Sequence, residues 1–304
     1  MIRFTRVDLV LLCMVLFWGA NISIVKVALR HFDPVAFNGL RFSMASVTMM
    51  LLYRRVFRDK MEKKELLSML LLGVLGNTIY QFLFIYGVNF TYVAHAAILL
   101  GTAPIFTASI SSLFGLENVR KRLWLGILLS FAGVVLIVYG RKDFRGSFLS
   151  ANIGDIFIVL ASLVWSIYTT FSKKVITEYS PQHYIVYTVL FGTLFLVPIS
   201  IPGLLRQDWR ILNVLDWTAL VYSAMLALVF GYSAWYYGVQ KLGSTRTSVY
   251  SNLTPVAGLT IGMIFLGERL SLLQWLGAGI IFFGLILNRF THLTAMEQDL
   301  SLTK

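Results

Sequence analysis

Ten apolar runs, each about long enough to cross the hydrocarbon core of a bilayer as a helix, leave this chain few folds to choose from. About 20 apolar residues span that core at about 1.5 Å per residue. The sequence supplies such runs at 7–28, 34–53, 66–88, 92–115, 122–140, 152–173, 182–203, 216–239, 244–267 and 272–290. Lipid offers the backbone no hydrogen-bond partner, so each run must satisfy itself as a helix. The connections are short, which makes successive helices antiparallel. The expected fold class is all-α: a polytopic membrane protein of ten transmembrane helices with a short polar tail at 291–304. The opening MIRFTR resembles the start of a signal peptide. The run that follows, VDLVLLCMVLFWGANISIVKVAL, is too long for the apolar part of one and lacks a small-x-small site before it ends. It reads as a retained helix.

Composition agrees. Of 304 residues 58% are hydrophobic and only 13% charged, where a soluble domain has about a quarter charged; the mean hydropathy is +0.76. A net charge of +12 would suit nucleic acid if it formed one surface, but the positive residues lie between apolar runs. The densest cluster, RRVFRDKMEKKE at 54–65, suits anionic headgroups and topology control. The expected partner is therefore the lipid bilayer and not nucleic acid. Lysine and arginine counts set the orientation. With the N-terminus inside, 17 fall on the inner side and 8 on the outer, with Arg41 inside a span. Both termini are then cytoplasmic, in a cell inner membrane. The one cysteine, Cys13, excludes an intrachain disulfide and a thiolate-cluster metal site.

The chain also repeats itself. Asp8, Trp18, Lys26 and Pro34 recur 147 residues later as Asp155, Trp165, Lys173 and Pro181. Tyr86-Gly87-Val88, Pro104, Glu117, Trp124, Gly126 and Gly133 recur at an offset of 151 as Tyr237-Gly238-Val239, Pro255, Glu268, Trp275, Gly277 and Gly284. Each half then holds five spans, and an odd number makes the second half enter the membrane from the opposite face. The expected domains are a first repeat at 1–146, a second at 147–290 and a cytoplasmic tail at 291–304. Inverted repeats of this kind build many secondary transporters, with the solute held near the midplane between halves. A duplication kept only for packing is the alternative.

These residues carry a family resemblance. The segment YGVQKLGSTRTSVYSNLTPVAGLTIGMIFLGERLSLLQWLGAGIIFFGLIL resembles the C-terminal part of an EamA-type repeat of the drug/metabolite transporter superfamily. The copy YGVNFTYVAHAAILLGTAPIFTASISSLFGLENV and the opening LFWGANISIVKVAL are similar to its N-terminal counterpart. The resemblance covers essentially all ten spans. It implies ten helices, alternating access, and often export of amino acids or other small metabolites. The first copy departs at Gly115-Leu116-Glu117-Asn118, where the arginine is absent, which speaks against a charge pair for Glu117.

Candidate solute-binding residues follow from shared helix faces. Asn77, Tyr80, Gln81 and Phe84 keep i, i+3, i+4, i+7 spacing on the third span, and their repeat partners are Leu228, Gly231, Tyr232 and Trp235. Trp18 and Asn21 share a face of the first span, and Trp165 and Tyr168 one of the sixth. In the ninth span, SVYSNLTPV places Tyr250 about 9 Å and Pro255 about 16 Å from its start. Proline leaves the Ser251 carbonyl without its helical partner. Tyr250, Ser251 and Asn252 add polar groups at similar depth, facing either a wet cavity or neighbouring helices; the cavity is the expectation. Gly258 and Gly262 allow close packing.

Arg41 is the one charge well inside a span, at a cost of roughly 2.5–3.5 kcal/mol on insertion scales. It either meets a substrate carboxylate or is held structurally, by carbonyls or by an acid such as Asp155 or Glu268; the structural role is expected. Lys26 and Lys173 are expected to snorkel. For His95 a satisfied polar contact is expected rather than a proton relay. All 14 acids fall at span ends or in loops, so no mid-membrane carboxylate awaits a cationic solute. A neutral, zwitterionic or anionic small-molecule substrate is expected. A channel through a polar-lined bundle is an alternative. An intramembrane enzyme is another, but no H-E-x-x-H, GxSxG, paired intramembrane aspartates or phosphate-binding G-x-x-x-x-G-K-[ST] occurs, so neither cofactor nor metal is expected. Solute identity, direction, coupling ion and oligomeric state leave no signature in the chain.

Overall fold

The computed structural model describes residues 5–91, 93–140, 153–258, 260 and 270–302, with backbone alone at 93, 94 and 288–302. Four helix starts carry a local signal. Helix α1 (Arg6–Ala28) opens on a capping box between Thr5 and Asp8, which satisfies N–H groups that the first turn leaves free. Asp33 caps α2 (Pro34–Leu52) with proline in its first turn, and Ser180 does the same for α7 (Pro181–Arg206). Asn213 and Asp216 form a second capping box at the start of α8 (Val214–Leu242). Between these lie α3 (Lys63–Phe90), α4 (His95–Leu113), α5 (Lys121–Tyr139) and α6 (Ile153–Glu178). Helix α9 opens at Ser244–Tyr250, and α10 is Leu272–Leu302.

Helices α1 to α8 are long and apolar enough to cross a membrane, and the apolar part of α10, Leu272–Leu287, is shorter. The chain is an all-α polytopic membrane protein. Residues 259 and 261–269, where the ninth span, Gly262 and Glu268 fall, lie outside the described residues. Helix α10 runs on into the tail expected at 291–304, as far as Leu302. No glycine or proline follows Gly284, so nothing interrupts the propagation of backbone hydrogen bonds.

Lipid-facing and inward-facing residues divide as a bilayer requires. Leu113 and Leu205 are 81% and 80% exposed, while Asn38, Asn77, Ser162, Thr169 and Thr188 are fully buried. Polar groups therefore find partners within the bundle. Four spans depart from regular α geometry. Helix α3 widens to a π-turn at Leu75–Ile79, and α8 does so over Ser223–Phe230. Helix α4 breaks at Gly101-Thr102 between Val93–Leu100 and Ala103–Leu113. Helix α9 tightens to a 3₁₀ turn at Ser251–Leu253 before residues 254–258 resume the helix.

Helices α5 and α10 meet backbone to backbone. A β-carbon added at Gly133 would lie 2.6 Å from the Gly277 carbonyl oxygen, and one at Gly277 would lie 2.7 Å from that of Gly133. Helix α1 approaches α9 equally closely at Gly19, where a β-carbon would sit 2.8 Å from both the Ala257 β-carbon and the Thr254 carbonyl.

Two lysines correct the snorkelling expectation. Lys26 turns onto the end of α3, donating to the carbonyls of Val88 and Asn89 at 2.7 Å and of Thr91 at 3.0 Å. The last carbonyls of a helix have no intrahelical partner and carry the negative end of its dipole. Lys173 pairs with Glu117 at 3.1 Å, so Glu117 does carry a charge pair. Its cation comes from α6 rather than from a neighbouring arginine. Glu117 also caps α9, accepting from Ser244 N at 2.7 Å, Ser244 Oγ at 3.0 Å and Thr245 N at 3.1 Å. Gly243 turns the chain there with φ +88°, and a side chain at that position would strike the Glu117 carboxylate.

Burial alone would push the Glu117 carboxyl up, but hydrogen bonding from Thr245 and the Lys173 charge outweigh it and hold it below the usual range. A depressed carboxyl contributes stability that is complete above the unfolded value, about 4.3, and is lost as pH falls through the folded one. The thermal midpoint of the purified protein should therefore fall more steeply below about pH 4.3 than that of Glu117→Gln. At pH 7 the variant should be destabilised by about 1–2 kcal/mol; equal midpoints throughout would refute the capping role. Gly277→Val should lower the midpoint, because overpacking there costs about 1–3 kcal/mol. Gly279→Val, where an added β-carbon meets nothing within 4 Å, should leave it unchanged.

Candidate functional site

A cavity of about 110 Å³ lies among seven of the helices. For scale, an engineered cavity of about 150 Å³ takes up benzene. Helix α1 contributes Trp18, Asn21 and Ile22, α2 Arg41, and α3 Tyr80, Gln81 and Phe84. On the other side stand Ser162 and Trp165 of α6, Ala227, Leu228 and Tyr232 of α8, and Ser251, Thr254 and Pro255 of α9. The break in α4 reaches the cavity through Gly101 and Ala103. The departures from α geometry therefore cluster here, where a frame shift in the hydrogen-bond ladder exposes backbone groups. One of them is used: the Ala227 carbonyl, within the π-turn of α8, accepts from the Trp18 indole at 2.9 Å.

Trp165 is the aromatic hub. Its ring lies 5.8 Å from Trp18, 5.0 Å from Tyr80, 5.4 Å from Tyr232 and 5.5 Å from Trp235, at tilted or edge-on angles. Such offsets bring ring edges onto ring faces, which the aromatic quadrupole favours. The walls are thus rigid and largely apolar, with polar groups at a few points.

The most exacting of those points is Arg41, at 1% exposure. Its Nε donates to Asn38 Oδ1 at 2.8 Å, one terminal nitrogen to Ser223 Oγ at 2.9 Å and the other to Gln81 Oε1. The rings of Phe37, Phe42 and Phe84 surround the guanidinium at 5.7, 5.6 and 5.8 Å. Gln81 then has only its amide N–H groups to offer onward, and it donates to the Tyr232 hydroxyl at 2.9 Å. Asn38 Nδ2 in turn donates to the Gln81 carbonyl at 3.1 Å. Among the described residues every hydrogen-bond acceptor of Arg41 is a neutral side chain. These take the place of the carbonyls or Asp155 expected to hold it, and Glu268 lies outside the described residues. Asp155 instead accepts from Thr91 and stands 3.3 Å from His95 Nδ1.

Of the sequence candidates, Trp18, Asn21, Tyr80, Gln81, Trp165 and Tyr232 come together on the cavity, and Arg41 joins them. Phe84, Ser251 and Pro255 line it too, whereas Asn77, Tyr168, Trp235, Tyr250, Asn252 and His95 do not. Asn77 donates to the Tyr168 hydroxyl at 3.1 Å, which lies 2.8 Å from Thr188 Oγ1. Trp235 backs the wall, its indole donating to Thr169 at 3.2 Å. Tyr250 donates to Asp8 at 2.5 Å. Asn252 is fully buried in the 3₁₀ turn, and neither end of its amide has a partner. His95 makes the polar contact expected of it, with Asp155. Sequence reasoning passed over Asn38 and Ser223, which hold Arg41 in place. The signal for Asn38 was its i, i+3 spacing from Arg41 on one apolar helix.

Comparison with known proteins places the chain among transporters. The model of the EamA-like transporter family matches residues 5–139 and again 152–290. An uncharacterized transporter of Archaeoglobus fulgidus is 30% identical over 287 residues, covering 93% of this chain and 97% of its own length. A Salmonella typhimurium protein described as a probable amino-acid metabolite efflux pump is 27% identical over 289 residues, with 92% and 93% covered. A crystal structure with 16% identity superposes with a TM-score of 0.76 over 92% of this chain and 95% of that one, which shows a shared fold.

Proposed function

The chain belongs to the EamA-like transporter family, and from that premise we propose that it is a secondary carrier whose two halves rock about the central cavity. The single observation that carries the reading is that side chains from both halves, Trp18, Arg41, Tyr80 and Gln81 from one and Trp165 and Tyr232 from the other, converge on one polar-tipped aromatic cavity. Trp18, Asn21, Tyr80, Gln81, Trp165 and Tyr232 form the solute site; Asn77, Tyr168, Trp235, Tyr250 and Asn252 support it from behind.

Several features support an inverted repeat at 1–146 and 147–290. The family model matches twice. The 151-residue offset carries the π-turn at Leu75–Ile79 onto 226–230 within the second π-turn. It also relates the break at Gly101-Thr102, ahead of Pro104, to the 3₁₀ turn ahead of Pro255. Repeat-related Asp8 and Asp155 each tie the start of their own helix to the start of a span in the other half, through Tyr250 and through Thr91 and His95. Broken helices at the junction of inverted repeats are where such carriers hold their solutes. The excess of lysine and arginine on one side, 17 against 8, supports an inner membrane location with both termini cytoplasmic. The absence of an acid from the cavity lining among the described residues suits a neutral, zwitterionic or anionic metabolite, and the efflux relative points to amino acids or related solutes and to export.

Proteoliposomes holding the purified chain should show saturable counterflow of at least one member of a labelled amino-acid and small-acid panel. Trp165→Ala should reduce that flux by about tenfold or more, whereas lipid-facing Leu160→Ala should not. Flux linear in concentration and without trans-stimulation would mean a pore instead.

A further inference from the structure

Resting on the carrier reading above, we propose that the cavity holds its solute by a carboxylate seated on the Arg41 guanidinium, with the solute's apolar body against Trp18 and Trp165. Arginine has five N–H donors. Three of the Arg41 donors are spent, one from each nitrogen, on Asn38, Ser223 and Gln81. That leaves one N–H on each terminal nitrogen to donate to a carboxylate oxygen.

The charge itself makes the stronger argument. Arg41 is buried, it lines the cavity, and among the described residues its hydrogen bonds go to neutral groups. These partners fix the position of the guanidinium without neutralising it. A cation kept at that depth is costly, and an entering anion offsets the cost. Asn38, Gln81 and Ser223 come from three different helices, so the guanidinium is preorganised rather than free to swing.

The lining agrees on the sign: among the described residues no aspartate or glutamate lines the cavity. The buried Asn21 Oδ1, which has no partner, offers an acceptor but no charge. An ammonium group alone would meet a guanidinium and no anion. An inorganic anion would satisfy the charge but leave Trp18, Trp165 and Tyr80 facing nothing apolar.

The test uses the full chain in detergent and reads the quenching of tryptophan fluorescence, since Trp18 and Trp165 line the cavity. The probes are isobutyrate and benzoate, each beside its own amide and primary amine, with inorganic phosphate as competitor. Both carboxylates should bind saturably and about tenfold or more tighter than their amides and amines, and phosphate should not displace them. Arg41→Lys should weaken carboxylate binding, and Arg41→Gln with an unchanged gel-filtration profile should abolish the preference. Amides that bind as tightly as carboxylates in the unmutated protein would overturn the proposal. So would a folded Arg41→Gln that keeps the preference, phosphate that displaces the probes, or carboxylates that do not bind at all. The same probes in proteoliposomes separate the two readings. Carboxylate binding without counterflow would defeat the carrier and leave the site standing. Counterflow of neutral solutes without any carboxylate preference would defeat the site and leave the carrier.

Discussion

A hydrocarbon interior satisfies no polar group, so every polar atom in a span must find its partner inside the protein. The architecture of this chain follows from that rule. Leucines such as Leu113 and Leu205 face outward, and Asn38, Asn77, Thr169, Thr188 and Arg41 face inward. Where the inward groups outnumber what close packing can satisfy, a cavity opens, and at its wall stands a cation held by neutral acceptors from α2, α3 and α8. The irregular helices belong to the same balance. The π-turns of α3 and α8 and the breaks in α4 and α9 release backbone groups, and all four border the cavity or immediately precede residues that do.

Much of the fold was legible because span length and hydrophobicity are one-dimensional signals. The starts of α1, α2 and α7 fell within a residue or two of their expected positions, where threonine, aspartate or serine caps precede them. The site was legible in part. Helical spacing showed which residues share a face, and the 147-residue offset joined Trp18 to Trp165. Spacing does not say what the face meets. Asn77 and Tyr168 were both picked as solute ligands, yet they bond to each other, because α3 and α6 touch there and leave no space. Tyr250 went the same way, to Asp8. The residue weighed toward a packing role, Arg41, lies on the cavity.

The span ends carried information that hydropathy alone does not rank. Lys26 and Lys173 sit near the ends of α1 and α6, where long cationic side chains usually reach for headgroups. A helix terminus nearby offers a better partner than water. Lys26 takes the carbonyl end of α3, and Lys173 takes the carboxylate that caps α9. The two repeat-related lysines thus secure the two repeat-related turns, α3 to α4 and α8 to α9.

The central claim is that the cavity is a wet path for solute rather than a packing fault. It is tested most directly by thiol accessibility in a Cys13→Ser background. Ser162 lines the cavity, while Ser166, one turn further along α6, donates to the Ala103 carbonyl and does not; both are fully buried. The account predicts that Ser162→Cys reacts with a small membrane-impermeant thiosulfonate in intact vesicles and that Ser166→Cys stays inert. Two inert cysteines, or two that react alike, would contradict it.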